Sequence, residues 1–142
     1  MSNLGRIDMS SIQTSVSRSA SSQATPVLIV DDEENFLVLL DRILSKEGYE
    51  VSTALNSQQA WNLIEEGAFQ LAILDIKMFP IDGIGLLSEI RKRSPSTRVI
   101  MITAYPTHDG RNECMRRGAD VYLTKPLDLR ELKNIMRHLV PN

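Results

Sequence analysis

Residues 71–75 read Leu-Ala-Ile-Leu-Asp, so that four apolar residues run directly into an acid. Residues 27–30, Val-Leu-Ile-Val, run in the same way into the acids of residues 31–34, Asp-Asp-Glu-Glu. Neither apolar run alternates with polar residues, a pattern that is typical of strands buried on both faces of a parallel sheet. We therefore predict two central strands, each followed at once by carboxylates.

Strand-like and helical segments alternate along the rest of the chain. The predicted strands are Val27–Val30, Glu50–Ala54, Leu71–Leu74, Arg98–Thr103 and Asp120–Leu123. Helical stripes of apolar residues begin at Phe36, Ile84 and Leu129, and weaker helical patterns surround Trp61 and Asn112. This alternation predicts an α/β fold: a doubly wound, five-stranded parallel sheet of order 2-1-3-4-5, the flavodoxin-like (β/α)5 arrangement.

Composition argues against several classes of function. The 142 residues are 42% apolar and 5% aromatic, with a formal net charge of -2. Proteins that bind nucleic acid directly usually show a basic field or a stacking surface, and this chain shows neither. No apolar run approaches the roughly 20 residues of a membrane helix. The one cysteine, Cys114, allows no internal disulfide, so we expect a cytoplasmic protein without membrane or nucleic-acid contacts.

Residues 1–25 differ in character from the rest, because eight of them are serine. They lack both the apolar core of a secretory signal and the large apolar residues that packing needs. We predict a flexible Ser-rich tail over residues 1–25, either functional or a remnant without function. One domain is expected over residues 26–142.

The acids at the two strand ends should form a cluster. The carboxyl ends of parallel strands lie at one edge of a sheet, so we expect Asp31, Asp32 and Asp75 to converge there. Carboxylate oxygens are ligands that suit Mg²⁺. Acids before a helix are also typical of N-capping, which would account for residues 32–34 but not for Asp75.

Two further strand ends add a hydroxyl and a cation at the same edge. Thr103 ends the fourth predicted strand, and Lys125 follows the fifth. A hydroxyl can donate a hydrogen bond to a phosphoryl oxygen, and an ammonium can neutralise another. Taken singly, threonine is common in strands and lysine is common in solvated loops. Together with Asp75, the two residues predict a site that holds a phosphoryl group.

These residues belong to an ordered set of motifs. The motifs are Val30-Asp31-Asp32-Glu33, Asp75 with Met78, Asp82 and Gly83, Thr103-Ala104, Gly118-Ala119-Asp120, and Tyr122-Leu123-Thr124-Lys125-Pro126. With this order and spacing, the chain resembles the receiver domains of two-component response regulators, which have a chemotaxis-Y-like fold. The resemblance covers roughly residues 26–139 and implies a phosphoacceptor domain of a phosphorelay.

The resemblance implies roles at the acidic cluster. Asp75 would accept a phosphoryl group from a phosphohistidine on a sensor histidine kinase or a histidine phosphotransfer protein. Asp32, Asp75 and the backbone carbonyl of Lys77 would bind Mg²⁺. Asp31 would act on the ion indirectly, through a water molecule or through contact with the groups that bind the ion.

The resemblance also implies how phosphorylation is transmitted. Thr103 and Lys125 would contact the phosphoryl group, and Tyr122 would turn inward as a switch. The face formed by the fourth helix, fifth strand and fifth helix would then change and contact a downstream output protein or domain. The Lys125–Pro126 peptide would be cis. A phosphorylation-dependent homodimer remains open.

The loop after the acceptor departs from the family pattern. Phe79 stands where proline is usual and Pro80 follows it, without an insertion, so we hypothesise a locally altered loop path. Lys77 and Tyr105 occupy positions that tune phosphoryl lifetime in this family. Lys77 could pair with phosphoryl oxygens while Tyr105 shields them from water, or both side chains could point to solvent.

Four functions remain open at this point. The leading one is a stand-alone phosphoacceptor, which we expect because the chain ends at Asn142 soon after the last helix. Such a protein would not be an enzyme beyond its own phosphotransfer and dephosphorylation. The second is the receiver fragment of a larger DNA-binding or enzymatic regulator. A small metal-dependent hydrolase with an aspartyl nucleophile would need a cap, or an acid two residues after the nucleophile, where Lys77 stands. A phosphate-independent scaffold would not need the full set of site residues.

Some predictions concern residues outside the site. Residues 91–93, Arg-Lys-Arg, are expected to form a solvated helix face. Cys114 and Met115 are expected to pack the fourth helix rather than to carry redox chemistry. Trp61 is expected to pack a helix against the core.

Overall fold

The computed structural model describes residues 24–141, so nearly all of the predicted Ser-rich tail lies outside the described residues. The strands are β1 (Pro26–Val30), β2 (Glu50–Ala54), β3 (Leu71–Asp75), β4 (Arg98–Thr103) and β5 (Val121–Thr124). The helices are α1 (Glu34–Lys46), α2 (Ser57–Glu66), α3 (Gly83–Arg93), α4 (His108–Arg116) and α5 (Leu129–Leu139). This order confirms the predicted alternation, with β5 beginning one residue later than expected.

The five strands form one parallel sheet of order β2-β1-β3-β4-β5, as predicted. All five residues of β3 are buried, because β3 lies at the centre of the sheet and helices cover both faces. Val30 of β1 pairs with Leu74 of β3. Asp31 and Asp75 therefore follow at the same level on neighbouring strands.

The sheet divides the apolar core into two layers, and helices cover each layer. In one layer α1 and α5 pack through residues such as Leu40 and Met136. The opposite layer includes Leu87 of α3 and Cys114 of α4, with Trp61 of α2 packed against it. The packing predicted for Trp61 and Cys114 is confirmed. None of the helices in residues 24–141 combines the length and apolar character that a membrane crossing needs.

Met115 does not pack as predicted, because its side chain is 39% exposed while the neighbouring Cys114 is fully buried. Successive residues of an α-helix point about 100° apart, so only one of the two can face the sheet. Met115 is therefore an apolar surface residue and does not belong to the buried core.

Arg91 corrects the prediction of a solvated helix face. Its guanidinium donates two hydrogen bonds to the carbonyl of Gly118, at 2.8 and 3.0 Å, and another to the carbonyl of Thr97. It also lies 3.3 Å from a carboxylate oxygen of Asp120. Gly118 has a φ of 102°, a left-handed conformation that favours glycine. The charge pattern of α3 predicted exposure because it contains no information about the loops at Thr97 and Gly118, whose carbonyls meet Arg91.

We expect Arg91→Ala to lower the free energy of unfolding by roughly 2–4 kcal/mol, since the carbonyls of Gly118, Thr97 and Pro95 and the carboxylate of Asp120 lose a charged donor. Urea unfolding followed by circular dichroism measures this change. Lys92→Ala is the matched control, because the Lys92 side chain is 76% exposed and should matter by less than about 0.5 kcal/mol. Equal effects of the two substitutions would contradict the bracing role of Arg91.

Candidate functional site

Asp75 ends the central strand with its carboxylate at the carboxyl edge of the sheet. The residue is only 4% exposed. Its Oδ1 accepts a hydrogen bond from the backbone N–H of Lys77 at 3.3 Å, and its Oδ2 lies 3.8 Å from Nζ of Lys125. Burial, followed by the charge of Asp31, raises the pKa of Asp75 to about 6, although Lys125 opposes the shift. The ionised carboxylate is therefore short of compensating positive charge.

Three acids meet at this edge, as the sequence predicted. One carboxylate oxygen each from Asp31, Asp32 and Asp75 lies within 4.8 Å of the others. Asp31 and Asp75 are buried and Asp32 is exposed. Burial also raises the pKa of Asp31, despite a hydrogen bond from Lys125 that lowers it. Crowded, partly desolvated carboxylates favour a divalent cation, so these residues fit Mg²⁺.

N-capping does not explain the acidic run, although Glu33 stands at the N-cap of α1. The Glu33 side chain makes no capping hydrogen bond. Its backbone N–H instead donates to Oδ1 of Asp31 at 2.9 Å, and its carboxylate contacts Lys125 at 2.8 Å. Glu34, in the first turn of α1, is placed to favour the helix dipole. The capping interpretation is therefore wrong for the Glu33 side chain.

Lys125 lies among three carboxylates. Its Nζ is 2.7 Å from Oδ2 of Asp31, 2.8 Å from Oε1 of Glu33 and 3.8 Å from Oδ2 of Asp75. Burial by itself would lower the pKa of Lys125, but hydrogen bonds to Asp31 and Glu33 outweigh burial and raise it. The Phe36 ring centre lies 4.6 Å from the same nitrogen. The sequence did not predict that Glu33 and Phe36 contact Lys125. The only signals were the place of Glu33 in the acidic run and of Phe36 in the first turn of α1.

The positions predicted to tune phosphoryl lifetime lie beside the acceptor. The cleft has a volume of about 240 Å³. It is lined by Asp32, Glu33, Asp75, Lys77, Ala104, Tyr105 and Lys125. Nζ of Lys77 lies 5.3 Å from the centre of the Tyr105 ring, a cation–π distance. The buried Thr103 hydroxyl, at the end of β4, accepts a hydrogen bond from the Tyr105 backbone N–H at 3.0 Å.

The predicted switch residue lies on the last strand. Tyr122 is half-buried on β5, and the guanidinium of Arg111 lies 5.7 Å from its ring centre. The Lys125–Pro126 peptide after β5 is cis, as expected. The inward turn of Tyr122 stays a prediction.

The loop after Asp75 carries the departure noted in the sequence. Phe79 is 79% exposed, and the Phe79–Pro80 peptide is cis. At the end of the loop, the N–H of Gly83 donates to the carbonyl of Ile76 at 2.8 Å. A Cβ on Gly83 would lie 2.2 Å from the carbonyl oxygen of Asp75, so the close approach of α3 requires glycine there. The altered loop path stays a prediction.

Comparison with known proteins identifies the family. Residues 27–137 match the family described as the response regulator receiver domain. The chain therefore belongs to the receiver domains of two-component response regulators, which confirms the resemblance. Receiver domains are phosphoacceptors that bind Mg²⁺ in an acidic pocket and interact with histidine kinases and output domains.

Individual relatives differ in length. The chain is 33% identical over 115 residues to sporulation initiation phosphotransferase F of Bacillus subtilis (strain 168), covering 81% of this chain and 93% of that protein. It is 38% identical over 113 residues to transcriptional regulatory protein ZraR of Klebsiella oxytoca, covering 80% of this chain but 26% of that protein. The chain thus spans about a quarter of the length of ZraR. The structure of Thermotoga maritima TrrA in complex with Mg(2+)-BeF gives a TM-score of 0.74 at 37% identity, covering 82% and 99% of the two chains.

Asp75→Asn should stabilise the metal-free protein near pH 7. The folded pKa of about 6 exceeds the ordinary 3.8, so folding favours the protonated acid. That contribution is complete below about pH 4 and is lost as the pH rises through 6. Asparagine carries no charge, so we expect a gain of roughly 1–3 kcal/mol in unfolding free energy at pH 7.

Urea unfolding at pH 4 and pH 7, in buffer with a chelator, measures the effect. The gain should shrink at pH 4, where the wild-type acid is protonated. Asp41→Asn is the matched control, since Asp41 lies on α1 and accepts an exposed hydrogen bond from Ser45. A metal-free Asp75→Asn variant less stable than wild type at pH 7 would refute the charge-crowding explanation.

Proposed function

We propose that Asp75 accepts a phosphoryl group from a phosphohistidine on a sensor histidine kinase or histidine phosphotransfer protein in the cytoplasm. The observation that carries this proposal is the cleft in which the buried Asp75 meets Asp31, Asp32 and Lys125. A carboxylate oxygen of Asp75 forms a bond to phosphorus while the phosphorus–nitrogen bond to the donor imidazole breaks. The imidazole leaves with the electron pair and takes up a proton.

Asp32, Asp75 and the backbone carbonyl of Lys77 would hold Mg²⁺, with Asp31 acting through a water molecule. When bound, Mg²⁺ neutralises negative charge on the phosphoryl oxygens and the attacking carboxylate. The raised pKa of Asp75 and the crowding of the three acids support this assignment. Within the domain, the chemistry is limited to its own phosphorylation and the later loss of the phosphoryl group.

Lys125 would exchange part of its contact with Asp31 and Glu33 for the phosphoryl oxygens. Its Nζ is already 3.8 Å from the acceptor carboxylate, so a small side-chain rotation is enough. Thr103 would turn its hydroxyl to the same group, and Tyr122 would move inward behind it. The face formed by α4, β5 and α5 would then favour a second arrangement that an output protein, an output domain or a second copy recognises.

A receiver that forms part of a larger regulator is the second candidate. The observation that favours it is the 26% coverage of ZraR, a transcriptional regulatory protein. In that case, an output domain would carry DNA binding or enzymatic activity, and this domain would control it. The complete reading frame around these 142 residues distinguishes the two candidates.

Acetyl phosphate with Mg²⁺ should add one phosphoryl group to the wild-type chain, as read by intact mass. Asp75→Ala should gain nothing, because the attacking oxygen is absent, and chelation of Mg²⁺ should suppress the wild-type reaction. Asp41→Ala, which removes a half-buried acid of α1 that is bonded to Ser45, is the control and should react like wild type. Beryllofluoride with Mg²⁺ should shift the Tyr122 signal in wild type and in Asp41→Ala, but not in Asp75→Ala. A wild-type chain with no mass gain would overturn the proposed function.

Lys77→Asn should shorten the life of the phosphorylated state. Lys77 and Tyr105 together flank the cleft, so their pair would hinder an attacking water. We expect dephosphorylation about two- to fivefold faster, the factor equivalent to the ~0.5–1 kcal/mol of an exposed cation–π pair. Radiolabel loss from purified phosphoprotein measures the rate, with Lys92→Asn as the charge-matched control. Rates equal to wild type in both variants would mean that Lys77 has no shielding role.

A further inference from the structure

Ser57 is a buried residue that the proposed chemistry does not use. It is the first residue of α2 and is 3% exposed. Its hydroxyl accepts a hydrogen bond from the backbone N–H of Ile81 at 3.0 Å. Its own N–H donates to the carbonyl of Phe79 at 3.4 Å. The start of α2 therefore holds the loop between β3 and α3 at two points.

Helix capping does not account for Ser57, although serine at a helix start usually serves that purpose. Asn56 is the N-cap of α2, and its side chain accepts a hydrogen bond from the N–H of Gln59 at 2.8 Å. The Gln59 side chain in turn accepts from the N–H of Leu55 at 2.8 Å. These two bonds satisfy the N–H groups of Gln59 and Leu55, so α2 is capped without the Ser57 hydroxyl. The Ser57 hydroxyl is thus available for the loop.

The loop that Ser57 holds carries the backbone groups beside the acceptor. At its start, the N–H of Lys77 donates to the Asp75 carboxylate at 3.3 Å. At its end, the N–H of Gly83 donates to the carbonyl of Ile76 at 2.8 Å. The middle of the loop projects to solvent, as the 79% exposure of Phe79 shows. The two contacts from α2 brace this otherwise exposed middle.

We propose that Ser57 is a positioning residue for the Mg²⁺ site, because it braces the loop on which Lys77 offers its backbone carbonyl. This inference rests on the proposed function, in which that carbonyl is a metal ligand. Mg²⁺ demands near-ideal octahedral geometry, so a loop that drifts loses affinity. Groups that orient ligands without touching the ion commonly matter for metal binding. Ser57 acts only through the loop and touches neither metal nor phosphoryl group.

Ser57→Ala tests the proposal by removing the acceptor for the N–H of Ile81. We expect Mg²⁺ alone to bind roughly five- to tenfold more weakly, as followed by amide NMR signals of residues 75–83. In metal-free protein, the Ile81 amide should exchange its hydrogen faster than in wild type. Ser57→Thr keeps the hydroxyl and should restore the affinity. Ser45→Ala, which loses an exposed hydroxyl bond to Asp41, is the matched control and should bind Mg²⁺ like wild type.

Equal Mg²⁺ affinity for folded Ser57→Ala and wild type would overturn the positioning role, as would an equal loss in Ser45→Ala. If Ser57→Ala does not fold, Ser57→Cys takes its place, because a thiol of similar size is only a weak acceptor. A wild-type chain that binds no Mg²⁺ would instead refute the metal assignment of the proposed function. Mg²⁺ binding that survives in wild type but weakens in Ser57→Ala supports both.

Discussion

The electrostatic repulsion between Asp31 and Asp75 is the constraint on which the site depends. Pairing of Val30 with Leu74 places these two acids at the same level of adjacent strands, and packing removes both from water. Burial, followed by the charge of Asp31, raises the pKa of Asp75 to about 6, even with Lys125 close by. Positive charge brought to this edge, by a cation or by movement of Lys125, relieves the repulsion. A site that can balance its charges in two ways is suited to switching.

The site is held by a buried strand on one side and by loops with fixed hydrogen bonds on the other. Every residue of β3 is buried, so the backbone that carries Asp75 cannot shift without disturbing the core on both faces. Lys77 and Tyr105 instead lie on loops at the rim of the cleft, where side chains can adjust. Gly83 lets α3 approach the strand, and Ser57 braces the loop between them. The fixed carboxylate of Asp75 thus lies beside the side chains of Lys77 and Tyr105, which can change conformation.

The relatives show that this domain occurs in proteins of different length. The chain covers 93% of one curated relative and 26% of another. The acidic cleft depends only on strand ends and short loops inside residues 24–141, so it is complete in either setting. Away from the cleft, the described residues also expose apolar side chains, among them Phe79, Val38 and Leu39.

Local sequence was enough for the order of strands and helices, because hydrophobic periodicity reports which face of each segment is buried. It was also enough to bring the three acids and the lysine to one edge, since parallel strands end together. It was wrong about Arg91, it left helix capping open as a role for Glu33, and it did not find the contact of Ser57 with Ile81. Each of these residues bonds to a partner far away in sequence: Arg91 to Gly118, Glu33 to Lys125 and Ser57 to Ile81. The separations are 27, 92 and 24 residues, respectively. A residue's periodicity does not encode which distant carbonyl or carboxylate will face it, and only the packed tertiary structure decides that.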